Sequence, residues 1–65
     1  MRISKHKIRI LMATQELTTK ALAEKMNAHA NNLSTILMRE TCRPETAARI
    51  AKALGVQLEE ILKED

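Results

Sequence analysis

Sixty-five residues with a net charge of +3, one cysteine and no aromatic side chain make one small domain, because so short a chain buries only about 60% of its unfolded surface. The lone Cys42 excludes an internal disulfide, and the longest apolar run, Ile10-Leu11-Met12-Ala13, is too short for a membrane span. Leu, Ile, Ala, Met, Lys, Arg and Glu dominate, which favours helices over strands.

Five helices are predicted in chain order. The first runs from about Ser4 to Gln15 and turns Ile8, Leu11 and Met12 inward at i, i+3, i+4 spacing, leaving Ile10 off the stripe. Thr18 suits the N-cap of the second, where its hydroxyl can accept an orphan first-turn amide; Leu22, Ala23 and Met26 form the inner face. Asn27 marks a corner, since asparagine tolerates the left-handed conformation that ends a helix. The third helix starts near Ala30 with Leu33, Ile36 and Leu37 inward, followed by a loop through Thr41 and Cys42 to Arg43. Pro44 fits the first turn of the fourth, whose inner stripe is Ala47, Ile50, Ala51 and Leu54 and whose stop is Gly55. Gln57 and Glu60 form a variant capping box opening a fifth helix, with Leu58, Ile61 and Leu62 inward. There is no repeat, linker or low-complexity segment, so residues 1–65 are expected to form a single all-α domain.

The segment from Leu17 to Ile36 carries most of the functional information. Its spacing is that of two short helices joined by a tight corner, a helix-turn-helix over about residues 18–37, with small Ala23 at the crossing. This leaves Ala30, Asn31, Ser34 and Thr35 outward, without negative charge, whereas an ordinary solvated face more often carries Glu and Lys. Such a face suits hydrogen bonds to base edges and phosphates. The plain alternative is an α-hairpin in a helical bundle, and periodicity alone leaves the two near parity. Cations outnumber acids up to Val56, and only the tail after it (Glu59, Glu60, Glu64, Asp65) reverses the sign, a distribution that suits a polyanionic partner.

The pieces Leu17-Thr18, Leu22-Ala23-Glu24-Lys25, Leu33, Ile36, Arg43-Pro44 and Ile50-Ala51-Lys52-Ala53-Leu54-Gly55-Val56 resemble the Cro/C1-type helix-turn-helix family. That family includes lambdoid phage repressors and the xenobiotic-response-element regulators. The resemblance runs from Leu17 to Leu62, about three quarters of the chain. It implies a five-helix repressor-like bundle that reads the major groove of double-stranded DNA with Ala30, Asn31 and Thr35, with His29 at the mouth of the groove. It also implies phosphate contacts from Thr19, Asn32 and Arg43. Lys7 and Arg9 are further phosphate candidates on charge alone.

Five departures from the family pattern stand out. Met12 and Leu37 occupy places where many relatives hold a partly buried Arg–Glu pair, so the two are expected to touch and extend the core; replacing such a pair by apolar residues is often neutral or stabilising. Asn27 replaces a corner glycine. His29 replaces a Ser or Thr cap, at a cost of about 1 kcal/mol. Met38 stands where a polar residue often meets phosphate, and the usual glycine after the third helix is absent near Arg39 and Glu40.

Nothing in the chain points to catalysis. His6 and His29 lack the companions of a metal site, and no nucleophile–base or phosphate-loop signature occurs. So small a domain offers little room for a substrate pocket. The expectation is therefore a non-enzymatic, cofactor-free, sequence-specific DNA-binding transcriptional regulator, a repressor by resemblance, working in the cytoplasm as a homodimer. One free thiol and four methionines suit that reducing compartment, and a secretory signal is not expected. Neither a membrane nor a small-molecule substrate is expected as a partner. Two other readings stay open: a protein-interaction module such as an antitoxin or adaptor, and an architectural or recombination factor of low base specificity.

Overall fold

Local chemistry sets where each helix starts. In the computed structural model, which describes residues 1–63, Ser4 Oγ accepts the Lys7 amide at 3.1 Å and opens α1 (Lys5–Thr14). Thr18 Oγ1 accepts the Ala21 amide at 3.0 Å and opens α2 (Thr19–Lys25), the cap its position predicts. α3 (Ala30–Arg39) and α4 (Pro44–Leu54) begin after His29 and Arg43, neither of which caps through its side chain. Pro44 stands in the first turn of α4, where its missing amide is no loss.

All four helices stop at a left-handed residue: Glu16, Asn27, Glu40 and Gly55, with φ of 56°, 56°, 55° and 71°. After α1, α2 and α4 two amides fold back over the last turn. Leu17 reaches the Met12 carbonyl at 2.8 Å, Ala28 that of Ala23 at 2.9 Å and Val56 that of Ala51 at 3.0 Å, each beside a shorter-range partner bond. α3 closes with a single bond from the Glu40 amide to the Ile36 carbonyl at 2.9 Å. Asn27 and Gly55 are the stops the sequence announces, whereas Glu16 and Glu40 adopt a conformation that costs a non-glycine residue about 1–2 kcal/mol.

At Glu40 that cost is offset by an unusual set of partners. Its carbonyl accepts the Ile3 amide at 3.0 Å, and its carboxylate accepts the Lys5 amide at 3.2 Å at the start of α1 and the Lys63 ammonium at 3.3 Å. One residue thus ends α3 and caps α1. The Lys5 amide above all holds the carboxyl below its ordinary value of 4.5; burial opposes it, and the Lys63 ammonium adds a further lowering. A depressed carboxyl stabilises the fold above its unfolded-state value and ceases to do so once acid protonates it in the folded state. The melting-temperature difference between the native chain and Glu40→Gln is therefore expected to be largest at neutral pH. It should shrink as pH falls through and below 4.5, which thermal melts across that range will show.

The end of the chain departs from expectation. In place of a fifth α-helix, Leu58–Glu60 make one 3-10 turn, closed by the expected Gln57–Glu60 capping box. The reason is competition for backbone groups. Ser4 donates its amide to the Ile61 carbonyl at 2.7 Å and Lys63 donates to the Arg2 carbonyl at 3.2 Å, so this stretch pairs with residues 2–4 instead of coiling further. On the other side of the amino-terminal segment, Cys42 donates to the Met1 carbonyl at 3.0 Å. Isolated antiparallel bridges, Arg2 with Thr41 and Ile3 with Leu62, result; no strand longer than a bridge forms among the described residues.

This ribbon drives Ile3 fully into the core, beside Ile8, Met12, Leu22, Ala23, Met26, Leu33, Leu37, Ala47, Ile50, Ala51, Leu54 and Ile61. Met12 and Leu37 are both buried in this one cluster, so the place of the family's ion pair is filled by core hydrocarbon. Ile36, expected inward, is only half-buried. The helices measure about 29 × 22 × 18 Å together with their connections.

Candidate nucleic-acid interface

α2 packs across α3 and α4 through Leu22 and Ala23, and the inner side of α3 is held by Leu33 and Leu37. With that side fixed, helical geometry decides what faces outward. Asn31, Ser34, Thr35 and Met38 follow at i, i+3, i+4 and i+7, and all four are exposed. The helix holds no acidic residue and ends in Arg39.

His29, Asn31, Asn32, Thr35 and Arg43 are all exposed, while Thr19 and Ala30 are half-buried. Ala30 packs partly against the core, which limits what it can offer beyond a methyl group. Thr35 Oγ1 donates to the Asn31 carbonyl at 3.0 Å. Its hydroxyl proton is therefore used within the helix, and the side chain presents an acceptor oxygen and a methyl to a partner. The Asn31 amide group makes no such internal bond among the described residues.

The start of α3 is electrostatically distinctive. Because His29 gives no side-chain cap, the first-turn amides of Ala30, Asn31 and Asn32 face outward at the positive end of the helix dipole. At α2 the Thr18 hydroxyl occupies only the Ala21 amide, leaving Thr19 at the first position of that helix. Arg43 stands one residue before α4, across the loop that follows α3.

Cys42 is half-buried, and burial pushes its thiol above the usual value against the pull of the nearby N-terminal ammonium. Both groups considered, the balance favours the protonated thiol over the thiolate, the form in which cysteine attacks. No group of three or more His, Cys, Asp or Glu residues placed to hold a metal occurs among the described residues. No helix among them is long and apolar enough to cross a membrane.

Met38, which the sequence marks as a departure from the family pattern, completes the outward stripe. At 75% exposure it is the most exposed large apolar side chain described, and the signal was its place seven residues beyond Asn31. Sequence reasoning misses the role of Glu40, which depends on Ile3, Lys5 and Lys63, residues far away in sequence.

No curated protein and no solved structure matches the chain. The family model for the Cro/C1-type HTH DNA-binding domain matches residues 7–64, which extends the likeness back into α1. With nearly the whole chain matched and its two central helices set as a helix-turn-helix, the protein belongs to the Cro/C1-type helix-turn-helix DNA-binding family.

Proposed function

We propose that the protein is a sequence-specific transcriptional regulator of the repressor kind, acting in the cytoplasm as a homodimer on double-stranded DNA. The observation that carries this reading is the exposed, acid-free edge of α3 from Asn31 to Thr35 beside an uncapped helix start. In the major groove, Asn31 pairs bidentately with adenine, and Thr35 offers its oxygen or rests its methyl on thymine. Ala30 supplies an apolar contact and His29 lies at the groove's edge. Thr19, Asn32 and Arg43 hold phosphates and set the register. Two copies on a near-palindromic site would place half-sites about 34–36 Å apart, with the 3-10 turn and the end of α4 as the joining surface. No catalytic role is assigned.

Selection of bound sequences from a random duplex pool, followed by binding at two salt concentrations, tests the reading. A recovered near-palindrome bound more tightly than random duplex supports it. A steep salt dependence with no preferred sequence points to an architectural factor instead. The exposed Met38 and Ile10, at 75% and 51%, favour a second reading as a protein-interaction module, which absence of binding at low salt would select.

The uncapped start of α3 gives a sharper check. His29→Asp is expected to stabilise the fold by about 0.5–2 kcal/mol through a new N-cap while weakening DNA binding, because it sets a carboxylate beside phosphates. Thermal melts and a duplex titration on the same variant read the two opposite effects. A variant that binds DNA at least as well as the native chain would remove the α3 start from the interface.

A further inference from the structure

The larger cavity described lies away from the DNA-facing edge of α3 and reaches the end of α4, beside the proposed joining surface. It is an open cleft of about 530 Å³ where the carboxyl ends of α1, α2 and α4 converge, and its polar walls are Gln15, Lys25, Arg49 and Lys52. Its floor is Met26, Ala53, Leu54 and Gly55.

Three cations and no acid line this cleft. Glu16 and Glu24 are sequence neighbours of lining residues but do not line it. Lys25 and Lys52 stand in the last turns of α2 and α4, where a cation complements the helix dipole. That explains each lysine singly but not their convergence on one hollow. Two of the carbonyls at these helix ends are already engaged: an Arg49 guanidinium N–H donates to the Met26 carbonyl, and Gln15 Nε2 donates to the Leu54 carbonyl at 2.6 Å. The Lys25 and Lys52 ammonium groups make no hydrogen bond or ion pair among the described residues. The hollow is thus a concave surface lined by three cations over a floor whose Met26 and Leu54 are almost fully covered.

We propose that this cleft binds a small phosphate-bearing anion, with Lys25 and Lys52 supplying the charge and Arg49 the directed N–H donors. Guanidinium and ammonium groups together suit a diphosphate, which accepts fork-like bonds from the one and point-charge attraction from the other. The volume exceeds that of an inorganic ion and lies within the range of small-ligand sites, about 300–1,000 Å³. The cleft sits at the opposite ends of α2 and α4 from Thr19 and Arg43. Occupancy therefore leaves those residues uncovered, and the bound anion acts as an effector rather than a competitor of DNA. Because Arg49 also ties α4 to the end of α2, an anion that draws on its N–H groups touches the support of the helix-turn-helix itself.

The test is a titration of the full chain with inorganic pyrophosphate and, separately, adenosine diphosphate, followed through backbone amide NMR shifts at matched ionic strength. Expected are saturable shifts centred on residues 25–27 and 52–56, with a Kd of about 0.1–1 mM. Tighter binding of the nucleotide would identify an organic phosphate using the apolar floor, and equal binding would identify the phosphate group alone. The exposed pair Lys25→Gln and Lys52→Gln should weaken binding roughly fivefold to tenfold, the worth of two surface charges, with an unchanged cooperative melt. Shifts no larger than those from chloride, shifts centred on α3, or indifference to the double substitution would each overturn the proposal. So would displacement of pyrophosphate by a DNA duplex, which would make the cleft part of the nucleic-acid surface.

Discussion

Leu22→Ala is expected to cost about 2–5 kcal/mol and to leave a large fraction of the chain unfolded at room temperature. Leu22 is fully buried, on the face of α2 that meets the other helices, so truncation leaves a cavity that rigid neighbouring helices cannot collapse. A native domain of this size is stable by roughly 0.05–0.15 kcal/mol per residue, so the loss is comparable to the whole. Ile36→Ala provides the contrast. That side chain is only half-buried, so its removal returns less area to water and opens less void. Urea titrations of the two variants should place the midpoint of Leu22→Ala far below that of Ile36→Ala. Equal midpoints would contradict the assignment of Leu22 to the centre of the helix-turn-helix.

The second large effect is on recognition. Asn31→Ala should weaken binding to a selected site by about 1–3 kcal/mol and leave binding to random duplex unchanged. The argument is geometric. Asn31 is exposed in the first turn of α3, its amide makes no internal bond among the described residues, and alanine keeps the helix while removing the paired donor and acceptor that match adenine. Since the residue carries no charge, the salt dependence should not change. Competition titrations at two ionic strengths measure both quantities. Equal loss on every sequence would show that Asn31 reads no base.

How far the sequence reaches depends on how local the determinants are. The Thr18 cap, the Asn27 corner, the Pro44 start and the Gly55 stop were legible because each is set by one residue's own conformational preference. The inner stripes of α2 and α4 were legible because a helix repeats on a fixed period. The amino-terminal segment was not. Nothing in Met1-Arg2-Ile3 announces that Ile3 is fully buried, because its partners, Glu40 and Leu62, are brought to it only by the finished fold. The same pairing turned the expected fifth helix into a single 3-10 turn. Glu40 shows the difficulty from the other side, since its left-handed backbone makes sense only once Lys5 and Lys63 stand beside it. At the interface, residue types and helical spacing gave the outward edge of α3. They did not show that the Thr35 hydroxyl proton is already committed.

The pairing of Ile3 with Leu62 joins residues almost a whole chain length apart, while the helices hold themselves together through near neighbours. Closing so long a loop carries an entropy cost that rises with the logarithm of its length, so the helices can associate before the two ends are fastened. The clasp then belongs to the last stage of assembly, and loosening it should hasten opening of the domain far more than it slows its formation.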